Sequence, residues 1–340
     1  MPVSHVAFLT PGNYPEADPL AGLEATLQLF AFGEELGFDS AWVRQRHLER
    51  GVSSAATFLA AASQRTRRIM LGTAVIQMGY ENPFRLAEDL ATADLLSRGR
   101  LNVGLSAGPP AYADLLGSRF LDGAVDAVDY SHNRLLRLRD NIVAEPIGGE
   151  DVVVLSPAGP QRARLHPRAP GLAERLWYGG GSLGSAEWAG RNGFNLLIGN
   201  IVRGEKTDDF SEAQLAQLDV FLAGWTAPRP PRIALGRVVI PLDGADESAR
   251  RRYRAYADSR QARTRSPQGE RRTLFADDVV GMSDDILEKL RRAPVLPRVD
   301  EFRLELPYDF TEAEYRQILS DFVTWIAPEL GWRPASLSAA

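Results

Sequence analysis

The chain has 340 residues, 44% hydrophobic and 24% charged, with a formal net charge of −5 and no cysteine. This is ordinary globular composition with length enough for a large core, and it excludes disulfides, thiolate metal sites and cysteine nucleophiles. No basic patch stands out, which argues against nucleic acid.

The N-terminus Met1-Pro2-Val3-Ser4-His5 lacks the basic and apolar regions of a signal peptide. No apolar run approaches the roughly 18 residues of a membrane span, so a cytoplasmic enzyme is expected. Arginines gather at Arg250, Arg251, Arg252 and Arg254 and again at Arg260, Arg263 and Arg265. Interspersed acidic residues make that stretch read as a solvated helix face.

Val6-Ala7-Phe8-Leu9, closed by Thr10-Pro11-Gly12, predicts a first buried strand. Leu23, Leu27, Phe30 and Ala31 follow at helical spacing, and Gly37 stops that helix. Phe38-Asp39-Ser40-Ala41-Trp42-Val43 is a second strand, followed by a polar loop that holds Arg46 and His47. An alanine-rich helix spans 55–62, and 69–76 is a third strand. Phe84, Ala87, Leu90, Ala91 and Leu95 mark a helix, and 101–105 a fourth strand.

A loop-like stretch over 108–129 precedes a helix near 131–142. The Pro- and Gly-rich 148–170 holds Val152-Val153-Val154-Leu155, an insertion or hairpin. Strands five to eight are predicted near 175–178, 194–198, 233–240 and 301–306. The seventh is followed by a charged helix near 247–262, an irregular polar segment over 264–278 that suits a mobile loop, and a helix carrying Ile286, Leu287 and Leu290. Tyr315, Ile318, Leu319, Phe322 and Ile326 share one face of the last helix, which Pro328 stops.

Strand–helix alternation of this kind implies parallel strands with helical crossovers. Eight units predict a (β/α)₈ TIM barrel, one domain over 1–330 with insertions near 108–130, 148–172 and 264–278 and a frayed tail over 331–340. A doubly wound α/β sheet is the alternative. No Gly-x-Gly-x-x-Gly follows the first strand, where such a sheet would carry it for a dinucleotide.

The stretch Trp177-Tyr178-Gly179-Gly180-Gly181-Ser182-Leu183-Gly184-Ser185 runs from a strand end through three glycines into a helix start. Free backbone N–H groups and the positive end of the helix dipole there suit a phosphate. The competing reading is a tight turn with an ordinary serine cap. In a barrel, sites form from the loops at the strand C-termini. Arg46 and His47, Ala74 and Val75, Ser106 and Ala107, and Asn200 all fall on that face.

His47 alone of the four histidines sits in such a loop beside another functional side chain; a loop histidine bonded to backbone is the plainer reading. No metal-ligand spacing is present and no metal is expected. Gly181-Ser182-Leu183-Gly184 does not complete a nucleophile elbow. Asp39 reads as structural, and Asp89 and Asp94 as parts of an outer helix.

Several stretches resemble luciferase-like flavin monooxygenases, most clearly over 36–108 and 176–200. They are Gly37 to Val43 with Arg46-His47, 69–75, Asn82-Pro83-Phe84-Arg85-Leu86-Ala87-Glu88, Leu95-Leu96-Ser97-Arg98-Gly99-Arg100-Leu101, and Gly180-Gly181-Ser182 with 185–191. The resemblance implies a TIM barrel that takes reduced FMN from a separate reductase, and O₂. It would oxygenate a small organic, apolar or aromatic substrate through a flavin C4a-peroxide.

A deazaflavin-dependent hydride-transfer oxidoreductase is the second enzyme reading, and a catalytically idle flavin-binding protein the third. By the same resemblance Ser182 and Ser185, with the N–H groups of Gly181, Ser182 and Leu183, hold the phosphate beside Gly180. Ala74, Val75, Ser106 and Ala107 border the ring, and a non-proline cis peptide is expected near Ala74–Val75. Catalysis would fall to His47 and Arg46, with 264–278 as a lid and a homodimer as the assembly.

Two departures stand out. Bacterial luciferases carry two histidines where this chain has Arg46-His47, so a fixed positive charge replaces one imidazole. Ala107 stands where luciferases have an arginine that reaches the phosphate. Loss of such a charge-assisted contact costs roughly 1.5–3 kcal/mol, about one to two decades of affinity. A flavin that dissociates readily is therefore expected. Tyr80, Tyr112, Trp177 and Tyr178 suggest an aromatic or apolar substrate, or merely core packing.

Overall fold

The computed structural model describes residues 3–123, 127–149 and 151–334. The last six residues of the expected frayed tail lie outside this range. The elements are β1 (His5–Thr10), α1 (Pro19–Glu35), β2 (Ser40–Val43), α2 (Ala55–Arg65), β3 (Met70–Gln77), α3 (Pro83–Leu96), β4 (Leu101–Ser106), α4 (Ala113–Leu116), α5 (Asn133–Val143), β5 (Val153–Ser156) and β6 (Gly159–Arg162). There follow β7 (Leu176–Gly179), α6 (Leu183–Arg191), β8 (Asn195–Ile198), β9 (Ile201–Arg203), α7 (Phe210–Gly224), β10 (Ile233–Pro241), α8 (Glu247–Gln261), β11 (Thr273–Phe275), β12 (Val279–Gly281), α9 (Ser283–Arg292), β13 (Glu301–Glu305) and α10 (Glu312–Asp321).

Eight strands pair in parallel in the order β13–β1–β2–β3–β4–β7–β8–β10, and β10 returns to β13 to close a (β/α)₈ barrel. Both faces of each strand are covered, which is why the strands read as nearly unbroken apolar runs. Inside the barrel Ala7, Leu9, Trp42, Ala74, Trp177, Leu197 and Ala234 form one cluster. The Trp42 and Trp177 rings meet edge to face, their centroids 5.6 Å apart. Trp177 and Tyr178 are buried, which favours the packing reading for both.

Local chemistry sets the helix starts. Asp18 and Asn82 cap α1 and α3, each followed by proline in the first turn. Thr311 and Glu314 form a capping box on α10. Asp39 accepts from Val6 N and from the Trp332 indole, so its role is structural. Asp94 lies on α3, yet it is buried and takes both arms of Arg175 at 2.8 and 2.9 Å. No helix among the described residues is long and apolar enough to cross a membrane.

The insertion over 148–172 contains an antiparallel hairpin, β5–β6. The segment over 264–278 departs from the expected irregular loop. Its β11 pairs antiparallel with β9, and Ala276 N donates to Asn200 O at 2.9 Å, so backbone hydrogen bonds anchor it at the mouth. The strand-seven crossover also differs. After β10 the chain first makes α8, β11 and β12, with β12 alongside the C-terminal end of β10, and α9 then leads on to β13.

Candidate active site

The C-terminal strand ends surround a cavity of about 440 Å³. One wall comes from β3 and β7. Pairing of β3 with β4 slips between Thr73 and Ile76, and the Ala74–Val75 peptide is cis. The glycine turn faces this bulge. A Cβ on Gly179 would lie 2.8 Å from Val75 Cγ1, and one on Gly180 would lie 2.5 Å from the Tyr178 ring and 2.8 Å from Ser185 Oγ. Glycine is therefore required there by close approach.

Beyond Gly181, Ser182 caps α6. Its Oγ accepts from Ser185 N at 3.2 Å and donates to Ser185 Oγ at 2.8 Å, and Ser185 Oγ donates to Ser182 O at 2.9 Å. Leu183 N donates to Glu205 Oε2 at 3.3 Å. A carboxylate oxygen thus sits where first-turn N–H groups favour an anion. Arg203 N donates to Gly181 O at 2.8 Å, and the Arg203 side chain runs alongside that glycine.

Of the residues expected at the site, Arg46, Ala74, Val75, Gly180, Gly181 and Asn200 line the cavity. Ser182, Leu183 and Ser185 form the helix start next to it. Asn200 is buried, and its Oδ1 accepts from Val238 N at 3.2 Å. Ser106 stands at the end of β4 beside Gln77, and Ala107 packs against the barrel–helix core, both off the cavity wall.

His47 is also off that wall. Its ring stacks on Tyr80, centroids 3.9 Å apart, and its Nε2 accepts from the Gln45 amide at 3.0 Å. The proton then belongs on Nδ1. Arg46 turns toward the cavity and donates through Nη2 to the Tyr308 hydroxyl at 2.6 Å.

A hub behind the glycine turn was not foreseen. The Tyr178 hydroxyl is 2.9 Å from His132 Nε2 and also faces Ser185 and the Ala107 backbone. Burial pushes that phenol up, and it lowers both His132 and His47. Each imidazole binds protons less readily in the folded chain than in the unfolded one. Stability should therefore rise with pH between the lowered folded values and the ordinary value near 6.5. We expect a lower thermal midpoint at pH 5.5 than at pH 7.5, with part of the difference gone in His132→Gln. An identical pH response in the variant would count against this hub.

The opposite wall is built from charge. Arg44, Arg46, Arg303 and Glu305 reach it from the barrel, Tyr308 from the loop after β13, and Tyr256, Arg260 and Arg263 from α8 and the residues after it. Arg44 Nη2 donates to Glu305 Oε2 at 2.8 Å, and Arg303 Nη2 to Glu305 Oε1 at 3.3 Å. Burial pushes the Glu305 carboxyl up, but the Arg44 and Arg303 charges and hydrogen bonds outweigh it and hold the group below the usual carboxylate value.

The expectation of a solvated face thus fails for Arg260 and Arg263. The excursion after β10 brings the end of α8 over the mouth. A signal was present in β13, where Glu301, Arg303 and Glu305 alternate with apolar residues in a strand that ought to be apolar on both faces. Period-two charge in a barrel strand marks side chains that share one face.

Among the described residues no three His, Asp or Glu side chains converge as a metal site. Residues 1–303 match the family described as luciferase-like monooxygenase. Over 111 residues the chain is 40% identical to limonene 1,2-monooxygenase of Rhodococcus erythropolis, a match covering 32% of this chain and 28% of that enzyme. Over 81 residues it is 36% identical to the F420-dependent glucose-6-phosphate dehydrogenase of Amycolatopsis mediterranei, covering 22% of this chain and 24% of that one.

The chain thus matches about a quarter of the length of these curated relatives. The oxygenating constituent of 3,6-diketocamphane monooxygenase from Pseudomonas putida, solved with FMN, shares the fold with a TM-score of 0.69 at 17% identity, over 96% of this chain and 99% of that one. Together with the closed barrel, the match over 1–303 leads to one conclusion: the chain belongs to the luciferase-like monooxygenase family.

Proposed function

We propose that the chain is a two-component flavin-dependent monooxygenase, using O₂ and reduced FMN from a separate reductase to oxygenate a small organic substrate. The observation that carries this reading is the side-chain-free turn at Gly179 to Gly181 facing the β3 bulge at Ala74–Val75, with a helix start beside it. With no side chains on the turn, a flat ring would lie against the bulge without obstruction from Gly179 to Gly181. The Glu205 carboxylate on Leu183 N marks this helix start as an acceptor of anions, and a phosphate would have to displace it there.

In this reading Gly181, Ser182, Leu183 and Ser185 hold the phosphate, and Arg203 supplies a guanidinium in place of the arginine that Ala107 replaces. A bound reduced flavin would supply the two electrons of the reaction, with one atom of O₂ going to the substrate and the other leaving as water. The chain's own residues orient the ring and shield it from water. Arg46, fixed on Tyr308, stabilises negative charge developing near the ring. His47, its proton on Nδ1, stays in the Tyr80 stack beside Gln45, outside the cavity lining.

The test is titration of the purified protein with oxidised and reduced FMN, then turnover with NADH and a reductase. Ser182→Ala with Ser185→Ala is expected to weaken FMN binding at least tenfold, with circular dichroism unchanged. Unchanged affinity would return the serines to the role of a helix cap. The F420-dependent relative supports a second reading, hydride transfer with a deazaflavin on the same turn. Product formed with F420 and none with FMN would select it, and flavin binding without turnover would leave a binding protein.

A further inference from the structure

Apart from Arg46, the arginine-rich wall carries charge that the flavin reading does not use. Arg44, Arg46, Arg260, Arg263 and Arg303 all line the cavity. The carboxylates bonded to them are Glu305 and Asp278, the latter 2.5 Å from Arg260 Nε and 3.9 Å from Arg263 Nη2. Five guanidiniums face two carboxylates, and the exposed Glu49 lies 3.9 Å from Arg46 Nε outside the lining.

Arg303 is only 4% exposed, and its Nε and Nη1 have no hydrogen-bond partner. Nε of Arg44, Arg46 and Arg263 is likewise buried and unbonded. Leaving a buried charged donor unbonded is costly, so the wall is built to receive an acceptor.

The guanidiniums are held in place. Arg44 and Arg46 lie over the Tyr308 ring, Arg260 over Tyr256, Arg263 over Phe275 and Arg303 over Trp42. Such stacking fixes the planar fork before a ligand arrives.

Topology separates this wall from the phosphate turn. Arg44 and Arg46 follow β2, and Arg303 lies on β13. These strands flank β1, and β7, which carries the glycine turn, is four strands round the eight-strand ring from β1. An anion on the arginines is therefore a second anion, across the cavity from the first.

We infer that the substrate is an organic oxyanion, of which an aromatic carboxylate is the simplest case, received by Arg46 and Arg303 on the wall opposite the glycine turn and by Arg263, which reaches the cavity from the excursion. The inference rests on the flavin reading for the word substrate, and on this wall alone for the anion. It refines the expectation of an apolar or aromatic ligand: the aromatic rings here hold the arginines, and planar guanidiniums grip a carboxylate through paired hydrogen bonds.

Isothermal titration of the full chain with benzoate and with benzamide, each with and without saturating FMN, tests it. Benzoate is expected to bind at least tenfold tighter than benzamide, to weaken with salt, and to bind alongside FMN. Arg263→Gln should lose about tenfold for benzoate while the FMN dissociation constant changes less than twofold. Equal affinity for benzoate and benzamide would overturn the inference.

Displacement of benzoate by FMN but not by riboflavin would also overturn it, since the arginines would then hold the cofactor's own phosphate and the flavin reading would survive. Tight benzoate selectivity in a chain that binds no FMN would uphold the anion site while the flavin reading fails.

Discussion

Replacing Glu305 with alanine is expected to lower stability by about 3–5 kcal/mol, the usual loss when one partner of a buried ion pair is removed. Glu305 is buried between Arg44 and Arg303, and both donate to it. Without it two guanidiniums remain in the barrel with no counter-charge. Replacing the carboxylate by Glu305→Gln keeps an acceptor and should cost less.

The contribution also depends on pH with a definite sign. The folded carboxyl lies below its ordinary value, so its stabilisation is complete above an unfolded value of about 4.3. It disappears as pH falls through the depressed folded value. Urea midpoints at pH 7 check the first expectation, and acid titration of wild type against Glu305→Gln checks the second. A midpoint unmoved by Glu305→Ala would mean that the two arginines find compensation elsewhere.

Gly104→Ala is the second large change. A Cβ there would clash with the Thr73 carbonyl oxygen and lie 2.8 Å from Leu197 Cδ1. The two residues already lock together: Thr73 Oγ1 donates to Gly104 O at 2.9 Å and accepts from Gly104 N at 3.0 Å. Thr73 immediately precedes the bulge, so the added methyl group must push β3 away from β4. Overpacking of this kind costs about 1–3 kcal/mol or more. Both the urea midpoint and FMN affinity should fall together. Normal FMN affinity in a destabilised variant would separate the bulge from the cofactor.

The barrel was legible because most of its strands are short apolar runs and several of its helices start at aspartate, asparagine or threonine caps. The glycine turn was legible for a related reason: three glycines at a strand end signal close approach whatever lies opposite. The charged wall was not. Arg260 and Arg263 look like one exposed helical stretch among acidic neighbours, and nothing local says that α8 belongs to an excursion rather than to the barrel. That placement follows from β11 pairing with β9, some 70 residues earlier in sequence. His47 lies in the polar loop that its sequence neighbourhood suggests, but its ring partners, Tyr80 from elsewhere on the rim and Gln45 from beside it, were not legible there.

The excursion from 242 to 282 meets the rest of the molecule through two short backbone ladders, β12 on β10 and β11 on β9, and through the side chains of α8: Tyr253 is buried in the main core and donates to Gln317, and Arg252 pairs with Glu314. Backbone ladders make few demands on side-chain identity. The glycine turn and bulge belong to the barrel, while Tyr256, Arg260 and Arg263 belong to the excursion. Ligand preference is therefore divided between the barrel, which supplies Arg44, Arg46 and Arg303, and the excursion, which supplies Tyr256, Arg260 and Arg263. Trading one such excursion for another would change that side of the cavity, and the helix that replaces α8 would have to fill the place of Tyr253 against Phe310 and Gln317.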